Sequence, residues 1–116
     1  MAAIDGRIEG LMRQIVRWLV NRDFESIEKY SHGRRLSADM LRSAVDDYGR
    51  TLIMPPDATF SDLDVISVEM AAVPTWSVRV DLWTKEEGLS DLSLECTVID
   101  AGGQELEAEI DNLHVL

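Results

Sequence analysis

The spacing of apolar residues changes period once along this chain, near Gly49, and that change limits the possible folds more than any other feature. Before it, apolar residues recur every three or four positions; after it, they recur every second position. The first spacing lines one face of a helix and the second lines one face of a strand. Helices followed by a run of antiparallel strands specify an α+β domain, with three N-terminal helices packed on one face of a four-stranded antiparallel β-meander. At 116 residues the simplest organisation is a single domain, helical over 1–50 and sheet-forming over 51–116. A chain of that size buries roughly two thirds of its unfolded surface without needing disulfides or metals.

Ile4, Ile8, Leu11, Met12, Ile15, Trp18 and Leu19 form the apolar stripe of a first helix. Asp23 caps a short second helix that runs through Tyr30 and stops at Gly33. Ser37 caps a third helix, with Leu36 and Leu41 at the spacing of a hydrophobic staple and Gly49 at the C-terminal end. Its apolar stripe is Met40, Leu41, Ala44, Val45 and Tyr48. Thr51 to Met54 is short and extended, and Pro55-Pro56 ends it before a loop. Leu63 to Met70 reads as a strand with Val65 on one face and Ile66, Val68 and Met70 on the other. Trp76, Val78, Val80 and Leu82 then alternate with Ser77, Arg79, Asp81 and Trp83. Leu92, Leu94, Cys96 and Val98 alternate with Asp91, Ser93, Glu95 and Thr97. Asp100 to Gly103 is a hairpin signal. In the last strand the step from Ile110 to Leu113 is three residues, so Asp111-Asn112 predicts a bulge that returns Leu113 and Val115 to the core side.

Net charge is −11 and its placement is uneven. Residues 1–50 hold nine basic and eight acidic side chains, for +1; residues 51–116 hold Arg79 and Lys85 against fourteen acids, for −12. Such a field repels nucleic acid and anionic membranes and attracts basic partners. With 46% hydrophobic and 28% charged residues the composition is that of a folded chain. The one cysteine, Cys96, excludes an intrachain disulfide and suits a reducing, cytoplasmic setting. The opening M-A-A-I-D-G-R-I-E-G has two acids in an amphipathic pattern, unlike a signal peptide. No run approaches the roughly 20 apolar residues of a membrane span.

Trp83 is the residue out of place. If Trp76, Val78, Val80 and Leu82 face the helices, Trp83 lies on the opposite face with Arg79, Asp81, Asp91, Ser93, Glu95 and Thr97, and Glu86 and Glu87 sit in the adjoining loop. A large aromatic among acids can anchor a basic protein partner or a second copy of the chain, or can stack over Arg79 and shield the sheet. Asp81, Asp91 and Glu95, if adjacent across the hairpin, could hold a hard cation or share a proton for acid–base work, and His114 could act alongside Asp111, though solvated acidic strand faces are the commoner case. His32 and His114 are the only histidines and form no zinc pattern; Cys96 has the parity of a core residue; Arg34-Arg35 offers a weak phosphate signal. No cofactor is implied, and no catalytic set stands out.

The segment W-x-V-x-V-D-L-W-T-x-E-E-G-x-S-D-L-x-L-E-x-T, with the closing E-I-D-N-L-H-V-L and the P-P-D turn at Pro55 to Asp57, resembles a family of small bacterial proteins known as a domain of unknown function. Where many members of that family carry a basic residue after the glycine, this chain has Leu89. The resemblance implies a shared fold and no activity. The helix-on-sheet layout is also that of cystatin-like and NTF2-like domains. The expectation for function is a non-catalytic acidic protein-binding domain using Arg79, Asp81, Trp83, Glu86, Glu87, Asp91 and Glu95, of which an immunity-type protein neutralising a basic toxin is one form. The alternatives are a small-molecule or enzymatic domain with a pocket mouth near Trp18, Tyr48 and Trp76, and self-assembly through the sheet.

Overall fold

Local capping chemistry sets the helix boundaries. The computed structural model describes residues 5–115, so Ile4 lies outside the described residues. Helix α1 (Gly6–Val20) starts where the Asp5 carboxylate accepts the Arg7 N–H, and it buries Ile8, Met12, Ile15, Val16 and Leu19. Helix α2 (Phe24–Ser31) is capped by Asp23, which accepts the Ser26 N–H, and ends at His32 in a left-handed conformation. Helix α3 (Ala38–Tyr48) is capped by Ser37, which accepts the Met40 N–H, and ends at Gly49 with φ +74. These are the expected caps. Met40, expected in the apolar stripe of α3, is instead 52% exposed; its place there is taken by Ala38, which is buried.

The sheet has five strands. Strand β1 (Leu52–Ile53) and strand β2 (Asp64–Ser67) lie end to end along one edge of β3 (Thr75–Thr84); β4 (Gly88–Ile99) and then β5 (Glu107–Val115) follow on the other side, all antiparallel. Sequence periodicity gives four of these. β1 is too short to show a period of its own and becomes a strand only by pairing Leu52 with Thr84 and Ile53 with Trp83. The segment after Pro55-Pro56, expected to be loop, contains a short helix α4 (Asp57–Ser61) whose Phe60 is buried. Strand β2 is shorter than the expected Leu63–Met70: the hairpin begins to turn after Val68, which donates its N–H to Thr75 O at 2.8 Å, and Met70 has φ +66.

Alternation holds along β3 and β4 except at Ser93, expected on the outer face, which is 1% exposed between the buried Leu92 and Leu94 and donates its hydroxyl to Val80 O. Val78, Val80 and Leu82 of β3, with Leu92, Leu94, Cys96 and Val98 of β4, are buried in one cluster with the helical residues. The bulge expected at Asp111-Asn112 is present: Glu95 pairs with Asn112 but Cys96 with Ile110, so Asp111 is the extra residue and Leu113 is buried. Val115, expected in the core, is 55% exposed because the neighbouring groove beside Ala44, Asp47 and Tyr48 is open there. A second irregularity was invisible in the sequence. Asp81 pairs with Ser93 and Trp83 with Leu89, so two steps on β3 face four on β4. Ser90 pins it, donating its hydroxyl to Leu82 O at 2.7 Å and accepting the Leu92 N–H at 3.1 Å.

Candidate binding face on the outer side of the sheet

Strand phase puts the Trp83 indole on the face away from the helices, half-buried rather than stacked in the core. Its cross-strand neighbours are Ile53 on β1 and Leu89 on β4, so an apolar row crosses the outer face of three strands. Leu89 is 58% exposed. Gly88 beneath the ring has φ +74, and a Cβ there would lie 3.7 Å from Trp83 Cζ3. Glycine therefore serves the left-handed turn and leaves the ring room to lie over the backbone.

A depression of about 300 Å³ adjoins this row. Its cause is topological. β1 pairs with β3 at Trp83–Thr84 and β2 pairs with it at Trp76–Arg79, so residues 80–82 have no strand on that edge. Helix α4, which connects β1 to β2, bridges the gap. Ala58, Thr59, Asp62 and Leu63 form one wall; Asp64, Arg79, Val80, Asp81, Trp83 and Leu89 form the rest. Arg79 does not stack on the indole. It pairs with Asp64 at 3.4 Å, and the cation–ring contacts among the described residues are at Phe24 and Phe60. Asp62 and Asp81 have no cationic partner among the described residues; Asp81 accepts only a long 3.5 Å contact from the Ser93 hydroxyl. The depression thus has an aromatic wall and a net negative rim.

The other expected residues lie at different places. Glu95 is opposite Arg79 in the ladder, on the outer face, but its carboxylate approaches His114 Nε2 at 3.5 Å. Asp91 lies in the β3–β4 irregularity, exposed, and its N–H donates to the Tyr48 hydroxyl at 3.3 Å. Glu86 and Glu87 fasten the β3–β4 turn to the end of α3. Glu86 accepts the Thr51 N–H and hydroxyl, each at 2.8 Å, and Glu87 accepts the Tyr48 hydroxyl at 2.7 Å and faces Arg50 at 3.3 Å. The structure therefore gathers Arg79, Asp81 and Trp83 into one depression and adds Asp62, Asp64 and Leu89, which sequence reasoning did not assign to it. Odd parity was the available signal for Leu89. Nothing local signalled Asp62.

The Thr51 donors hold the Glu86 carboxyl below the ordinary carboxylate range, with the backbone N–H the larger cause. A carboxylate favoured in the folded state stabilises the fold above its unfolded value, near 4.5, and loses that contribution as the pH falls through the lowered folded value. Glu86→Gln is therefore expected to show a smaller drop in melting temperature between pH 7 and pH 3 than the unchanged protein. Equal drops in both proteins would remove Glu86 from the acid response.

Several carboxylates of the second half of the chain are met by arginines of the helical half. Arg34 faces Glu107 at 3.4 Å and Glu109 at 4.0 Å; Arg35 faces Glu109 at 3.6 Å and Asp111 at 3.3 Å. The Arg34-Arg35 pair thus neutralises the β5 edge. Arg7 donates to Asp100 at 2.9 Å and to Gln104 O at 3.3 Å. Cys96 is fully buried, and desolvation pushes its thiol well above the usual range, so it stays protonated. His32 is exposed at the end of α2. Among the described residues no group of three or more His, Cys, Asp or Glu is placed to hold a metal ion, and no helix is long and apolar enough to cross a membrane.

Among families of known proteins, a model described as "Domain of unknown function (DUF7668)" matches residues 16–116. No curated protein and no solved structure matches the chain. The match runs from within α1 through β5, and the chain belongs to the DUF7668 family.

Proposed function

We propose that this domain is a non-catalytic acidic binding module that docks a cationic segment of a partner protein on the outer face of its sheet. One observation carries this: Trp83 and Leu89 sit beside Asp62 and Asp81 in a single depression, and those two carboxylates lack a cation among the described residues. A guanidinium or ammonium group entering there meets an aromatic face and two acceptors, each favourable for a cation. An apolar anchor ringed by polar groups is also the usual anatomy of an interface hot spot. Asp91 and Glu95 extend the negative field along the same face, while Glu86 and Glu87 act by holding the turn that carries Gly88 and Leu89 in place. An immunity-type protein neutralising a basic toxin in the bacterial cytoplasm is one concrete form, and the buried single cysteine suits that compartment.

The test uses a hexa-arginine peptide titrated into isotope-labelled protein. Amide and indole shifts are expected to concentrate at Trp83, Leu89, Asp62 and Asp81, and to fade as salt is raised to about 0.5 M, where screening is nearly complete beyond a few ångströms. Shifts spread evenly over the acidic surface, or unchanged in salt, would sink the proposal.

A second reading, small-molecule binding in a cystatin-like or NTF2-like domain, is favoured by an open groove of about 750 Å³. Trp18 and Tyr30 line it with ring centroids 6.0 Å apart. Tyr48 and Trp76 are not part of it, and the helix-facing side of the sheet is filled by Val78, Leu94, Cys96 and Val98. Ligands would therefore lie against the rim formed by α1, α2 and the β4–β5 loop, outside the core.

A further inference from the structure

We infer that the free edge of β2 is the seam of a two-fold dimer of this chain. The sheet's two long sides differ. The β5 side is guarded: Arg35 bridges in parallel to Ile110, and Glu107, Glu109 and Asp111 face arginines along it. Charges and covering segments of this kind prevent edge-to-edge pairing. On the β2 side no strand lies beyond the edge among the described residues, and beside the exposed Asp64, Ser67 and Glu69 the strip carries exposed apolar side chains. Ile66 is 61% exposed, Val68 41%, and the hairpin continues the strip with Met70, which is fully exposed, and Val73. From Val65 to Thr75 there is one charged residue, Glu69, in a chain of net charge −11. That neutral stretch is where two copies of so acidic a chain can approach.

The register follows from the hydrogen-bond ladder. Val68 N–H bonds to Thr75 O, so by alternation Ile66 and Asp64 also direct their backbone groups at β3, and Val65 and Ser67 direct theirs at the free edge. A two-fold axis through Ile66 sets Val65 against Ser67 of the second copy and the reverse. Each of these equivalent pairs exchanges both N–H···O=C bonds. Ile66 then meets its own copy at the closely spaced, non-hydrogen-bonded position, on the outer face. Val68 falls opposite Asp64, whose carboxylate is already paired with Arg79 at 3.4 Å. No like charges are placed directly opposite each other within the paired strands, which is the charge compatibility the seam needs.

The exposed parts of the four apolar side chains amount to on the order of 500 Å² per copy, a large patch for a monomer but short of the roughly 800 Å² per partner of a standard interface. Two such patches bury about 1,000 Å² in total, the size class of weak, transient encounters, so the dimer is weak. Sedimentation equilibrium over about 5 to 500 µM protein covers the range in which a weak dimer forms. The weight-average mass is expected to rise from 13.0 kDa towards twice that figure. Ile66→Lys, at an exposed position, is expected to weaken association at least about tenfold. Ser67→Pro, which deletes an N–H aimed at the free edge while leaving the β2–β3 ladder intact, is expected to do the same. Trp83→Asp is expected to leave the dimer unchanged. A monomer at the highest concentration, a dimer indifferent to both β2 changes, or a dimer lost with Trp83→Asp instead would each overturn the assignment.

Discussion

Phe60→Ala is expected to lower the unfolding free energy by about 3–5 kcal/mol, the range for removing a buried aromatic ring. That is a large part of the 5–15 kcal/mol that typical domains possess. Phe60 is 2% exposed and is the one buried residue of α4. A five-residue helix is far too short to be stable by itself, and α4 has no side-chain cap at Pro56. What holds it is the ring in the core, with the Arg13 guanidinium 4.5 Å above the ring centroid and Arg13 paired with Asp57 at 2.9 Å. Exposed pairs of that kind add little, so packing dominates. Urea denaturation monitored by circular dichroism measures the loss. Because α4 is also one wall of the depression beside Trp83, the same change is expected to weaken hexa-arginine binding. A loss below about 1 kcal/mol would mean that the core closes over the vacancy at little cost.

Replacing Asp62 and Asp81 together by arginine is expected to reduce hexa-arginine affinity by at least about tenfold, chiefly through a slower association rate. The control is the pair Asp47→Arg with Glu105→Arg, residues that also lack a cationic partner among the described residues and lie away from the depression. Each double variant changes net charge by +4, from −11 to −7. If overall acidity alone attracts the peptide, the two variants lose affinity equally. If the depression is the site, only the first does. Stopped-flow indole fluorescence at several salt concentrations separates the two outcomes.

Much of the fold is legible along the chain because its signals are short-range. Asp23, Ser37 and Gly49 act on hydrogen bonds within a turn, so their roles follow from type and position. Strict alternation from Trp76 to Leu82 fixes which side chains are buried, and the three-step gap before Leu113 identifies the bulge. α4 was not legible, since five residues carry no period and its helical state depends on where Phe60 finds a partner. The β3–β4 irregularity was hidden for a related reason: its two extra residues preserve parity, so the alternation in β4 continues undisturbed.

The sequence by itself determined that Trp83 points away from the helices, because a strand admits only two faces and the apolar set 78, 80 and 82 claims one of them. It also determined the excess of acid in the second half of the chain. Only the tertiary structure decided which of those acids remain without a cation. Arg34 and Arg35 reach Glu107, Glu109 and Asp111, and Arg50 reaches Glu87, across separations that no local pattern encodes. Asp62 and Asp81 are left beside the indole because β1 and β2 meet β3 at separate points and α4 spans the gap between them. Periodicity and capping act over a few residues, whereas charge pairing and the shape of a depression depend on how distant elements come together.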